Sequence, residues 1–307
     1  WFVEAPEGVE VWKSCYSPFH KIAQLDYALN LIRMPLESFY RLTREMKDIT
    51  AKVIMIEFMP RSGSTMFLQL FEETGQCVTY SECHFFNDFN PKEYSDKEKR
   101  LEAVMKMFCK PRKVPTEAFV FKSFLAKSSL SPLVHRVFPQ AKFIYIYRNA
   151  IPNVKSLYKV SNVVNFRRLE DFLRNIHPKI FWAIHRKQME VFQIPFTEKE
   201  FVLANKTRHL PQIMLLHFWL TFQRVYLELQ KTEGFPPTPS LKYEDLVRDP
   251  PKYACAVFKY CGLPLDLVPE GLRAMHKDSQ RGSVMAKERL TEDENLKVFD
   301  DENVSAI

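Results

Sequence analysis

Glycine is scarce in this chain, at 7 of 307 residues, and no internal repeat, low-complexity tract or linker-like stretch interrupts it. With 46% hydrophobic residues and 26 phenylalanines, the composition favours a dense core and argues against disorder. The six cysteines (Cys15, Cys77, Cys83, Cys109, Cys255, Cys261) contain no CxxC pair and no metal-ligand spacing with histidine. Structural zinc is therefore not expected, and no metal is assigned. A chain of this size needs no disulfide staples, though an even count permits them. No apolar run approaches the length of a membrane span; Ile213–Phe222 comes nearest and contains His217. The first residue is Trp1 rather than Met, which is compatible with a signal or membrane anchor upstream. An arginine-rich tract and an RNP-like aromatic pattern are both missing, so nucleic acid is not expected as a partner.

The chain does have a positive balance, with a net charge of +7 and a pI near 9.0. That suits an anionic ligand without identifying one. It also has a β–α–β–α alternation. Strands are expected at Val53–Ile56, Cys77–Tyr80, Ala118–Lys122, Ala141–Tyr147 and Ser240–Tyr243. Helices are expected at Met66–Phe71, Asp96–Phe108, Ile151–Tyr158, Pro211–Gln230 and Pro251–Tyr260, the last ended by Gly262. A helix broken at Pro35 is expected over Ile22–Met46, and a helical region broken at Pro178 over Arg167–Val191. Trp1–Pro18 reads as irregular and Ser81–Ser95 as a loop. The pattern predicts a single domain over 1–307, an α/β fold with a central parallel sheet flanked by helices, and a partly helical extension at 1–50. Asn205-Lys206-Thr207 and Asn303-Val304-Ser305 match the glycosylation triplet, which recurs by chance.

The most informative segment is KVIMIEFMPRSGST, Lys52–Thr65. A buried-type strand runs into Arg61-Ser62-Gly63-Ser64-Thr65 and then into a helix. Such a turn can hold a phosphate: glycine lets the backbone approach, and the helix N-terminus offers free N–H groups and a favourable dipole. It is not the triphosphatase loop, because GxxxxGK[ST] is absent and the cation precedes the glycine. A second strand delivers Arg148 at its carboxyl end, and Ser156 follows eight residues later. Arginine supplies a bidentate fork for a phosphate and serine a further donor.

PRSGST after a strand, Arg148…Ser156 after another, and LKYEDLVRDP…CGLP near the C-terminus together resemble the sulfotransferases that use 3′-phosphoadenosine 5′-phosphosulfate (PAPS). The resemblance runs in order from Lys52 to Ser283 and implies a three-layer, P-loop-like fold. It implies PAPS as sulfuryl donor and 3′-phosphoadenosine 5′-phosphate (PAP) as product. Arg61, Ser62, Gly63, Ser64 and Thr65 would hold the phosphosulfate, and Arg148 and Ser156 the 3′-phosphate. Arg281 and Gly282, in the turn Gln280–Ser283, are further expected contacts to that phosphate.

For catalysis, the KTH-like segment of cytosolic members reads Lys122-Ser123-Phe124 here, so its histidine is missing. Ser81-Glu82-Cys83-His84-Phe85-Phe86-Asn87 is instead similar to the E-x-H-F-F segment of Golgi heparan-type enzymes. Glu82 is thus the expected base, with His84 orienting or replacing it. Lys122 and Arg61 are the expected cations over the leaving oxygen and the sulfuryl group. The implied reaction is in-line sulfuryl transfer to a hydroxyl or amine, on a carbohydrate before a tyrosine-containing protein or a small alcohol, in the Golgi lumen before the cytosol. The Phe85–Phe89 loop and the insert Asn165–His209 are expected to line the acceptor cleft. Two other readings stay open: a small-molecule kinase of similar plan, and a non-catalytic PAP- or polyanion-binding protein. The oligomeric state is not legible.

Overall fold

The computed structural model describes residues 1–112, 115–125, 130–163, 210–283 and 285–290, with four single positions between 183 and 199. The N-terminal extension holds a short strand β1 (Phe2–Glu4), helix α1 (His20–Asp26), strand β2 (Asn30–Ile32) and helix α2 (Leu36–Glu45). β1 and β2 pair antiparallel, Val3 opposite Leu31. The expected helix over Ile22–Met46 is therefore wrong in its middle, and Trp1–Pro18 is not wholly irregular. Pro35 starts α2 as its N-cap instead of kinking a longer helix, which agrees with its missing N–H donor.

The central sheet is built from β3 (Lys52–Phe58), β4 (Cys77–Ser81), β5 (Ala118–Phe124), β6 (Lys142–Tyr147) and β7 (Ser240–Lys242). All pairings are parallel, in the order β4-β5-β3-β6-β7. β3 is central, and every residue after Lys52 in it is buried, because helices cover both faces. Ile54, Ile56 and Phe58 point to one face, where they pack with Phe67, Leu70 and Phe71 of α3 (Ser64–Glu72). Val53, Met55 and Met59 point to the other. There they meet Leu101 and Met105 of α5 (Lys97–Phe108), Leu133 of α6 (Leu130–Val137) and Phe222 of α8 (Leu210–Gln230). α7 (Ala150–Val163) follows β6. The result is the expected three-layer α/β fold.

β7 leads into α9 (Tyr243–Arg248) and α10 (Pro250–Cys261). Gly262, left-handed at φ 68°, ends α10 by donating its N–H to the Lys259 carbonyl at 3.1 Å, while Leu263 donates to Phe258 at 2.9 Å. The short helix α11 (Val268–Gly271) closes this layer against α3.

Two further expectations change. Ser81–Ser95 is not a loop throughout: it contains α4 (His84–Asp88) and a 3₁₀ turn at Pro91–Glu93. Phe85, Phe86 and Phe89 are not among the residues that line the cleft holding Glu82 and Lys122. Phe86 and Phe89 are buried in the core, Phe86 beside Phe121, and Phe85 stacks on Phe89 with ring centres 4.7 Å apart. Their burial removes far more apolar surface from water than a cleft wall would. Arg167–Val191 and most of the Asn165–His209 insert lie outside the described residues.

Candidate active site

The strand order sends the chain from β3 out to β4 and back to β5, then across to β6 on the opposite side. Connections leaving the carboxyl ends of β3 and β6 thus diverge, which opens a crevice there. A cleft of about 550 Å³ occupies it, walled by Arg61, Gly63–Thr65, Glu82, Lys122, Arg148, Ser156, Tyr243 and the segment 277–280.

The loop after β3 is held in a strained shape. Arg61 sits at φ 64° and Gly63 at φ 81°, both left-handed. For arginine that conformation costs roughly 1 kcal/mol or more, so the surroundings must impose it. Asn153, fully buried on α7, does part of this by donating Nδ2 to the Pro60 carbonyl at 2.9 Å. At Gly63 only glycine fits: a Cβ there would lie 2.2 Å from Cδ2 of Tyr243. α3 begins at Ser64, so its first N–H groups have no partner within the helix and face the cleft. Ser62 Oγ is buried and lacks a hydrogen-bond partner.

Arg61 turns from the loop to donate Nε to Ser156 Oγ at 3.0 Å. Burial lowers its pKa, and the nearby Arg148 lowers it further, while Asp278 acts in the opposite sense. A guanidinium still stays charged, so two cations face one cleft without full compensation. Arg148 lies with its guanidinium carbon 4.8 Å from the centre of the Tyr243 ring, and its Nε is 3.9 Å from Glu244 Oε1. That Nε is buried with no hydrogen-bond partner, an expensive arrangement unless an anion completes it. Glu244 is itself positioned by the Asn149 N–H, at 3.1 Å.

The opposite end of the cleft holds Lys122 and Glu82. Lys122 pairs in register with Ser81 of β4 and Ile56 of β3, on the sheet face that carries α3. Its Nζ donates to Glu82 Oε1 at 2.7 Å and to Thr65 Oγ1 at 3.0 Å. Only 1% of its surface is exposed; burial pushes its pKa down, and the Glu82 carboxylate opposes that shift. Glu82 continues the ladder past β4 by donating its N–H to the Lys122 carbonyl at 3.1 Å. It then adopts φ 55°, a second strained residue in the same cleft.

Of the residues expected from sequence, the fold brings together Arg61, Gly63, Ser64, Thr65, Glu82, Lys122, Arg148 and Ser156 around the cleft, with Ser62 fully buried in the loop behind it. It leaves His84, Arg281 and Gly282 apart. His84 opens α4 and points to solvent, with Nδ1 2.6 Å from Asp88 Oδ2, so it does not orient Glu82. Arg281 and Gly282 are exposed and do not line the cleft. Asp278 accepts from the Gln280 N–H at 3.0 Å, and the tight turn that results directs Gln280 inward and its successors outward.

Gln280 was not singled out in the sequence, yet it donates Nε2 to Thr65 Oγ1 at 3.0 Å. Tyr243, part of the LKYEDLVRDP segment that carries the resemblance, covers Gly63 and lies against the Arg148 guanidinium. No local pattern marks such residues, because their partners lie on other elements. Among the described residues no group of three or more His, Cys, Asp or Glu side chains is arranged to hold a metal ion. No described helix is long and apolar enough to cross a membrane.

The family model described as the sulfotransferase domain matches residues 51–303. No curated protein matches. Among solved structures, the sulfotransferase domain from the curacin biosynthetic pathway is 16% identical over 82% of this chain and 90% of that one, at a TM-score of 0.43. A mouse sulfotransferase complexed with PAP is 17% identical over 88% and 81%, at 0.39. The sulfotransferase from Alicyclobacillus acidocaldarius is 16% identical over 71% and 83%, also at 0.39.

Proposed function

The chain belongs to the sulfotransferase domain family, and from that premise we propose that it moves a sulfuryl group from PAPS to an acceptor hydroxyl, on a carbohydrate before other acceptors, by in-line displacement. The observation that carries this reading is the Lys122–Glu82 pair at 2.7 Å, facing the phosphate-type loop across one cleft. A carboxylate beside a buried cation, opposite an anion cradle, is the arrangement that deprotonating a hydroxyl next to a transferring anionic group requires.

The residues present fit the donor. Arg148 Nε, a buried polar atom without a hydrogen-bond partner on a side chain that lines the cleft, would be satisfied by an anionic oxygen. The first-turn N–H groups of α3, with Arg61, would hold the phosphosulfate; Arg148 and Ser156 would hold the 3′-phosphate. PAPS, when bound, supplies the activated sulfuryl group. Glu82 takes the proton of the acceptor hydroxyl as that oxygen forms its bond to sulfur. Lys122 and Arg61 stabilise the charge growing on the phosphate oxygen as the sulfur–oxygen bond to the donor breaks. Holding donor and acceptor in one cleft would align the attacking and leaving oxygens.

Transfer from sulfur-labelled PAPS to sugar, tyrosine-peptide and alcohol acceptors tests the activity, with PAP titration run beside it. Glu82→Gln is expected to reduce kcat by roughly 10²–10⁴-fold and to change PAP affinity by less than about twofold. Retained turnover in that variant overturns the base assignment, and failure of the parent protein to bind PAP overturns the whole reading.

A further inference from the structure

Thr65 sits in the first turn of α3 on the wall of the cleft, and its hydroxyl is where side chains from two distant elements meet. Lys122 Nζ from β5 and Gln280 Nε2 from the C-terminal turn both donate to Thr65 Oγ1, each at 3.0 Å. A hydroxyl carries two lone pairs and one hydrogen. With both lone pairs taken by donors, the hydrogen is all that Thr65 has to offer a ligand, so the hydroxyl meets the cleft as a donor. The Lys122 ammonium polarises that O–H bond further.

Gln280 is carried to this place by a turn built without its side chain. Asp278 Oδ1 accepts the Gln280 N–H at 3.0 Å, and Asp278 Oδ2 accepts the Lys287 N–H at 3.1 Å. The Gln280 carbonyl accepts from the Ser283 N–H at 3.0 Å and from Ser283 Oγ at 2.8 Å. The turn is also tied to α3 and the residue after it: Gln69 donates Nε2 to the Ser279 carbonyl at 3.3 Å, and Lys277 pairs with Glu73 at 2.5 Å. None of these bonds involves the Gln280 amide. The amide donates to Thr65 instead, and its Oε1 is buried without a hydrogen-bond partner. A carbonyl oxygen left so is costly, and a methionine would fill the same space without that cost. Packing of the turn therefore does not account for an amide here, whereas its bond to Thr65 does.

We infer that Gln280 is a positioning residue for the anion site: by filling the second lone pair of Thr65 it holds that hydroxyl as a preorganised donor to the 5′-phosphosulfate. Without Gln280 the hydroxyl turns about its Cβ–Oγ bond and can present a lone pair to the anion, so binding has to order it first. The inference rests on the sulfuryl-transfer reading above. It adds to that reading a link from the C-terminal turn to Lys122 through a single hydroxyl.

Calorimetric titration with PAP and with adenosine 3′-monophosphate tests the link without an acceptor. Gln280→Met keeps the bulk and the turn but removes the amide, and it should weaken PAP binding by roughly three- to tenfold. Adenosine 3′-monophosphate lacks the 5′-phosphate, so its affinity should stay within about twofold. The same substitution should cost as much in a Thr65→Ser background, where the hydroxyl remains, and nothing further in a Thr65→Val background, where it is gone. An unchanged PAP affinity in Gln280→Met overturns the inference, as does an equal loss in the Thr65→Val background. Equal weakening of both nucleotides does so too, because it marks general damage to the cleft. Failure of the parent protein to bind PAP overturns instead the donor reading on which the inference rests.

Discussion

Gly63→Ala probes the cleft through one methyl group. The new Cβ would stand 2.2 Å from Tyr243 Cδ2 and 2.5 Å from Cε2, well inside contact distance, and the backbone would have to remain at φ 81°. The left-handed conformation alone costs about 1–2 kcal/mol for an alanine. Relief of the clash requires the Tyr243 ring to move, and that ring carries the Arg148 guanidinium at 4.8 Å. Gly75→Ala supplies the control: its φ is also positive, at 70°, but nothing lies within 4 Å of the added Cβ. Both variants should therefore share the backbone cost, a fall of about 2–8 °C in Tm for a chain of this size. Only Gly63→Ala should also lose PAP binding, by about tenfold or more, since it displaces an arginine support and crowds the loop at once. Thermal unfolding and calorimetric PAP titration read the two effects separately. Equal PAP affinity in Gly63→Ala and Gly75→Ala would refute the claim that Tyr243 couples the loop to Arg148.

Arg148→Ala should weaken PAP binding by about 2 kcal/mol, near the low end for a charged contact, because this side chain keeps 26% exposure; calorimetry at two salt concentrations checks both size and screening. Glu57 is buried in β3, with Ser131 Oγ against one oxygen and no partner for the other, and burial raises its pKa from 4.5 to about 8. The folded state then holds a proton the unfolded chain has released. The stability contribution of that proton is complete below about pH 4.5 and is lost as pH rises through about 8. Glu57→Gln should flatten this fall in a urea-unfolding series from pH 5 to 9, and an unchanged slope would count against a neutral Glu57. His20 shows the opposite sign, since burial lowers its pKa from 6.5 to about 4. Its contribution is present above about pH 6.5 and fades as pH drops towards 4, so acid should loosen the N-terminal segment first, visible as earlier hydrogen exchange at residues 14–20.

The strands of the sheet were legible in the sequence because a parallel strand buried on both faces leaves a continuous apolar signature, as at Val53–Ile56 and Phe143–Ile146. The extension was less legible. Leu25, Leu29 and Ile32 keep a helix-like spacing, yet Leu29 and Ile32 belong to a turn and a strand, because Asn30–Ile32 pairs with a partner 28 residues earlier, Phe2–Glu4. Long-range pairing of this kind leaves no local trace. A different reason hid α4: His84–Asp88 is one short turn of helix, too brief for a period to show.

For the site, the sequence by itself determined the two strand–turn–helix units that face the cleft. Each of Arg61–Thr65, Arg148 and Ser156 lies within one strand–turn–helix unit, so residue type and spacing decide its place. Lys122 and Glu82 were also within reach, since both end parallel strands on one side of β3. Only the tertiary structure decided which neighbours turn inward. Gln280 faces Thr65 while Arg281 faces water, and His84 pairs with Asp88 rather than Glu82. Tyr243 covers Gly63 from 180 residues further along the chain, and a separation of that order is closed only by packing. The sequence thus specified a loop suited to an anion, whereas packing between distant elements chose which side chains line the cleft beside it.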